Sequence, residues 1–294
     1  MSVIGYQLSV IRKMRSCIIC TLLLGTCSAS IISANEAMDK AWQMTEFLQY
    51  KKAALIFEQE QAKTKKGSED WINASIGLAT SLQYAQPDEK ADKDKAVKIF
   101  DEIIKLTDKN PKQALALLQR ARLADQVDYY KDEPDPETAE KLYLRLLKDW
   151  PEHPLTHYAV LYLSHINIFS MKKEEASQGV KRLEGWLEKY PDNPLAATQW
   201  ALIGFANIKP LDDPAKAVAA FKKAVGIGLP KNIMHDLYYW RITRLANMAG
   251  DKESEVEYLK KLITDLRLND FAYESQLLLK EMGEEVPEIK NPFE

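Results

Sequence analysis

Apolar residues along this chain recur at spacings of four and three, the alternation that places side chains on one face of an α-helix. The sets are Ala53 and Phe57; Ala96, Phe100 and Ile103; Ala139, Tyr143 and Leu146; Gly179, Leu183 and Trp186; and Ala217, Phe221 and Ala224. A degraded copy follows as Glu255, Leu259 and Leu262. Each set opens on a small residue, with a bulky one four positions later. The leading residues lie 38 to 43 positions apart. A pattern repeating at that period predicts a stacked array of similar units rather than one closed globule.

Fifteen residues beyond each leading residue stands Ser68, Pro111, Pro154, Pro194, Asn232 or Asp270. All six suit the start of a helix. Ser68 and Asp270 read as caps, and Asn110 and Asn193 would cap helices opened by Pro111 and Pro194. Proline tolerates that place because its missing N–H has no helical partner there anyway. Two hexapeptides mark the corners: Trp150-Pro151-Glu152-His153-Pro154-Leu155 and Tyr190-Pro191-Asp192-Asn193-Pro194-Leu195. Other starts fall before the apolar sets, at Asp135-Pro136, Asp213-Pro214 and Gly250-Asp251. Each unit is therefore two helices, the second carrying the small–bulky stripe where paired helices approach closely.

These residues resemble the tetratricopeptide-repeat family over roughly residues 36–283. In that family an Ala, an aromatic four later, an Ala seven later and a Pro twelve later mark the second helix. Ala139, Tyr143 and Pro151 match, as do Ala217, Phe221 and Ala224. Two departures stand out. The repeat is longer than the family's roughly 34 residues, and the Trp-Leu-Gly signature of the first helix survives only as Ile76-Gly77. The phrase at Tyr190 is similar to bacterial cell-envelope members. The resemblance implies an all-α, right-handed solenoid of about six antiparallel helix pairs, a protein-binding role and no cofactor. It also implies that first helices line a concave groove for peptides.

The first 34 residues break the pattern. Arg12, Lys13 and Arg15 precede an apolar centre from Cys17 to Leu24, small residues follow, and Ile32-Ser33-Ala34 suits cleavage. This is the layout of a secretory signal peptide over 1–34, with Met14 a candidate true start, and it predicts a periplasmic or cell-envelope protein. Two alternatives stay open: retention of the segment as a membrane anchor, and lipidation at Cys27. The expected organisation is then a helical-repeat domain over 35–283 and a C-terminal tail over 284–294. All three cysteines (Cys17, Cys20, Cys27) lie within the leader. A chain cleaved after Ala34 has no thiol chemistry and no disulfide. Cleavage also lowers the formal net charge from −3 to −6, against the basic face that nucleic-acid binding needs.

Catalytic signatures are missing from the sequence. It has no phosphate-binding loop, no Gly-x-Ser-x-Gly elbow and no His-Glu-x-x-His, and Gly226-Ile227-Gly228 follows a helix rather than a strand. His157 and His165 share a helical face with no carboxylate to complete a metal site. No acid is set apart for acid–base work. The expectation is a scaffold that binds a protein or extended peptide. The alternatives are an accessory subunit of a secretion or envelope-assembly complex, and a cell-wall-active enzyme. Two stripes at spacing four on first helices are the partner-groove candidates: Tyr158 and Tyr162 extended by His165, and Asp236, Trp240 and Arg244. Their competing role is packing between helices.

Overall fold

The computed structural model describes residues 36–87, 89–125, 134–229, 234–266 and 269–288. The leader, its cysteines, Asn35, Asn232 and residues 289–294 of the tail lie outside the described residues. The described chain is all-α, with thirteen helices and no strand among those residues. It divides into two compact units. The N-terminal unit holds α1 (Glu36–Glu46), α2 (Tyr50–Ala62), α3 (Glu69–Tyr84), α4 (Lys90–Ile104) and α5 (Lys112–Asp125). The C-terminal unit holds α6 (Pro136–Asp149), α7 (Thr156–Phe169), α8 (Lys173–Lys189), α9 (Ala196–Ile208), α10 (Pro214–Ile227), α11 (His235–Ala249), α12 (Lys252–Thr264) and α13 (Ala272–Glu281).

The six stripes fall on α2, α4, α6, α8, α10 and α12, and burial explains all but Trp186, which is half-buried. Ala53, Phe57, Ala96, Phe100, Ile103, Ala139, Tyr143, Leu146, Leu183, Ala217, Phe221, Ala224, Leu259 and Leu262 are fully buried. The leading residue is small because the partner helix sits against it. A Cβ on Gly179 would lie 3.0 Å from the Ser164 carbonyl oxygen of α7. Glu255 breaks the rule at 8 % exposure, and its carboxylate is satisfied by the Asn247 amide at 3.0 Å. The first helices answer with gaps of their own. Gly77 of α3 faces the ring of Phe57, and Gly204 of α9 faces that of Phe221.

The helix entries follow one device with local variants. Ser68 Oγ accepts from Trp71 N at 3.3 Å. Asp135, Asp213 and Asp251 each accept the N–H three residues on, at 3.0 Å. Asn110 and Asn193 instead accept from the residue two positions on, Lys112 and Leu195, both at 2.9 Å. Gln113 returns a bond to the Asn110 N–H at 3.1 Å, closing a capping box. The regular helix therefore begins at Thr156 and Ala196, two residues after Pro154 and Pro194. A turn bonded from each residue to the third before it fills the gap, as Thr156 N to His153 O and Ala196 N to Asn193 O show. The cap of α13 also differs from expectation. Asn269, not Asp270, accepts from Phe271 N at 2.9 Å, because its amide is held by the carbonyls of Leu262 and Leu266. Gly250 ends α11 at φ +70, the left-handed conformation that glycine adopts without a Cβ clash.

Residues 284–288 fold back along the last helices. Glu284 N–H donates to Leu279 O at 2.9 Å, its carboxylate meets Lys252 at 3.0 Å, and Val286 packs on Leu259, Ile263 and Leu279.

Candidate partner-binding face

In the C-terminal unit α7, α9 and α11 are first helices, each packed against its own second helix. Two cores lie between them. One joins Leu161 and Ile168 to Val180, Leu183, Leu202 and Ile203. The other joins Ala201, Phe221 and Tyr238 to Ile242 and Tyr258. Apolar burial on this scale holds the first helices in fixed register, so the side chains they leave half-exposed form a defined surface.

On α7, Tyr158 is half-buried against the first core, which pushes its phenol up from the ordinary range. Its ring is 6.5 Å from that of Tyr162. Tyr162 stacks in turn on Tyr143 of α6, with centroids 6.0 Å apart and planes 29° from parallel. His165 lies against Phe169, centroids 4.3 Å apart. On α11, Asp236 takes the Leu237 N–H at 2.9 Å within the first turn, where a negative charge suits the helix dipole. Trp240 is half-buried beside Leu259, Ile263 and Leu279 and stacks on Phe271, with centroids 5.0 Å apart and planes 11° from parallel. Arg244 is exposed, its guanidinium 5.8 Å from the Trp240 ring centroid. Tyr158, Tyr162 and His165 thus form one group and Asp236, Trp240 and Arg244 another. One face of both the Tyr162 and Trp240 rings is already engaged by a neighbouring helix or loop.

Sequence reasoning passed over a third group between them. Arg241 lies over three rings, with its guanidinium 4.8 Å from Phe205, 5.4 Å from Tyr238 and 5.7 Å from Phe221. These rings meet edge-on, Phe205 and Phe221 at 5.3 Å. Nearby, Lys223 of α10 sits 3.9 Å from the Trp200 ring. The local signal for Arg241 was its spacing of three from Tyr238. The rings of Phe205 and Phe221 come from other helices and left no local trace.

The corners between repeats form a separate cluster. His157 Nδ1 accepts from Trp186 Nε1 at 3.0 Å, and both rings lie against Tyr190. Gln199 Nε2 reaches the His157 carbonyl at 3.3 Å. His153 Nδ1 accepts from Leu155 N at 3.2 Å, the place Asn193 fills one repeat later. Only a neutral imidazole has a ring nitrogen free to accept. Burial pushes both histidines below their ordinary value of 6.5. A depressed histidine pKa means that the unfolded chain takes up protons first as pH falls. The stability these bonds supply is therefore present above about pH 6.5 and is lost as pH drops toward the folded pKa values. Urea midpoints measured between about pH 7.5 and about pH 5.5 should fall. His153→Asn should shrink that fall while leaving the midpoint near pH 7.5 in place, since an asparagine oxygen accepts at any pH. An unchanged pH dependence in His153→Asn would remove His153 from this account.

This fold recurs in solved structures. PilW, a widely conserved type IV pilus biogenesis factor, superposes with a TM-score of 0.54 at 17% identity, covering 85% of this chain and 100% of that one. A tetratricopeptide repeat protein from Parabacteroides merdae gives 0.50 at 16% identity, covering 84% of this chain and 87% of its own. BtubC from P. vanneervenii gives 0.50 at 14% identity, with coverage of 89% and 96%. No protein-family model matches the sequence, and no curated protein does. The chain has the tetratricopeptide-repeat fold, an all-α solenoid of helix pairs.

Proposed function

We propose that the protein is an exported scaffold of the cell envelope. It binds a protein or extended peptide along the first helices of its C-terminal unit. The observation that carries this reading is the run of half-exposed aromatic and polar-tipped side chains there: Tyr158, Tyr162 and His165 on α7, and Asp236, Trp240 and Arg244 on α11. The rings supply rigid contact area, and Asp236 and Arg244 supply opposite charges that would fix a polar backbone in register. Helices held by a packed core present these groups preformed, which spares the binding site an ordering cost. The basic–apolar–small order of residues 12–34 supports export. The likeness to a pilus biogenesis factor lends the envelope reading further support. No described helix is long and apolar enough to cross a membrane. If the leader is retained, the same scaffold is instead an anchored accessory subunit of an envelope-assembly complex.

Photocrosslinkers placed at Tyr158 and Asp236, with one at Leu144 on α6 as a control, test this in cells. Adducts from the first two and not from Leu144, on a mature chain beginning at Asn35, are the expected result. Adducts from Leu144 alone would sink the proposed face. A mature chain that starts before Cys17 would favour the anchored reading.

A further inference from the structure

The last described first helix, α13, leaves exposed an apolar pair at positions that its counterparts cover wholly or, at His157, in part. In the C-terminal unit three first helices follow a side chain that accepts the N–H two residues on: His153 before α7, Asn193 before α9 and Asn269 before α13. Four and eight positions beyond those caps stand His157 and Leu161, Ala197 and Ala201, and Tyr273 and Leu277. Leu161 and Ala201 are each 5 % exposed and Ala197 is 8 % exposed. The neighbouring helix pairs cover them, with Leu161 in the core that includes α8 and α9 and Ala201 in the core that includes α10 and α11. Tyr273 is 72 % exposed and Leu277 41 %. The inner side of α13 is occupied normally: Ser275 and Leu279 are fully buried, and Val286 packs on the Leu279 side.

An apolar face left uncovered on a packed helix invites association. Here an aromatic and a leucine one turn apart occupy that face. The helix surface beside this pair carries an excess of acid: Glu274 and Glu281, three before and four after Leu277, are exposed, against Lys280.

We propose that the outer face of α13 is a docking site for a basic amphipathic helix of a partner protein. The face continues the surface that carries helix on helix elsewhere in the unit, so a helix fits it. The residues that α8 and α10 lay on α7 and α9 show the chemistry required: an apolar stripe at spacings of three and four, such as Ala217, Phe221 and Ala224. The acidic margin selects lysine or arginine beside that stripe. This site is separate from the face proposed for α7 and α11 and does not depend on it.

The probe is a labelled peptide of about 14 residues with leucines at i, i+3, i+4 and i+7 and lysines elsewhere. It is titrated into the full chain and followed by anisotropy. The expected result is saturable binding that weakens with salt. Leu277→Glu should weaken it by about tenfold or more, Tyr273→Ser and Glu281→Lys should each weaken it, and Leu144→Glu should leave it unchanged. Melting curves establish that each variant is folded; Tyr273→Ser removes a side chain with few contacts and serves if Leu277→Glu is not. Equal affinity in the wild type, Tyr273→Ser and Leu277→Glu, or no saturable binding at all, overturns the proposal. So does a wild-type dimer in sedimentation that Leu277→Glu dissolves, which gives the face to a second copy. Tighter peptide binding by a chain ending at Glu288 also overturns it, since residues 289–294 would then be the occupant.

Discussion

Phe221→Ala is expected to lower the free energy of unfolding by about 3–5 kcal/mol, the range for deleting a buried phenylalanine ring. Phe221 is fully buried. Its ring meets Phe205 at 5.3 Å and Tyr238 at 5.7 Å, both edge-on, and fills the space left by the absent side chain of Gly204. A Cβ at Gly204 would lie 2.7 to 2.8 Å from three atoms of that ring. Gly204→Ala should therefore cost about 1–3 kcal/mol through overpacking. The roughly 1 kcal/mol a helix gains when alanine replaces glycine offsets only the lower part of that range. The two changes share one space, so they should not add: Phe221→Ala should remove most of the cost of Gly204→Ala. A double-mutant cycle by urea unfolding measures the coupling. Additivity within about 0.5 kcal/mol would mean that the ring and the glycine do not touch.

Trp240→Ala is expected to cost about 3 kcal/mol, the low end for a buried tryptophan, because the indole is only half-buried. The loss comprises contact with Leu259, Ile263 and Leu279 together with the stack on Phe271. A stacked aromatic pair contributes about 0.5–1.5 kcal/mol beyond its burial. Trp240→Phe keeps much of both and should lose less than half as much. Arg244→Ala should change stability by about 1 kcal/mol or less, since Arg244 is exposed and lies 5.8 Å from the face of the Trp240 ring. The same variants separate the roles on this stripe. Loss of partner binding in Arg244→Ala at unchanged midpoint would assign recognition to the charge. An unchanged midpoint in Trp240→Ala would mean the indole does not hold α11 to the end of the unit.

Tyr162 stacks on Tyr143 and Trp240 on Phe271, so truncating either ring disturbs the scaffold as well as the surface. Asp236 and Arg244 are the cleaner positions at which to interrogate recognition, since Tyr158 packs on the first core and His165 lies against Phe169.

The sequence by itself determined the helix pairs. The stripes at four and three are local, because residues that far apart in a helix share a face whatever surrounds them. Ser68, Asp135, Asp213, Asp251 and Gly250 announce helix ends for the same local reason: each bonds or bends within a few residues of itself. Even the small residues at Ala139 and Ala217 were legible, since only a close neighbour explains alanine at a recurrent buried position. The errors of detail were also local. At α13 the cap moved by one residue, to Asn269, because carbonyls at Leu262 and Leu266 hold its amide, and the spacing count had no access to that competition.

What tertiary structure alone decided is which side chains meet between helices. Arg241 over Phe205 and Phe221, Trp240 on Phe271, and Trp186 on His157 join residues from different elements. The exposure of Tyr273 and Leu277 is a further case. Their positions are those that Ala197 and Ala201 bury, and nothing in the α13 sequence separates an apolar face that is covered from one that is not. Burial is a property of what lies opposite, and a periodic pattern specifies a face without specifying its occupant.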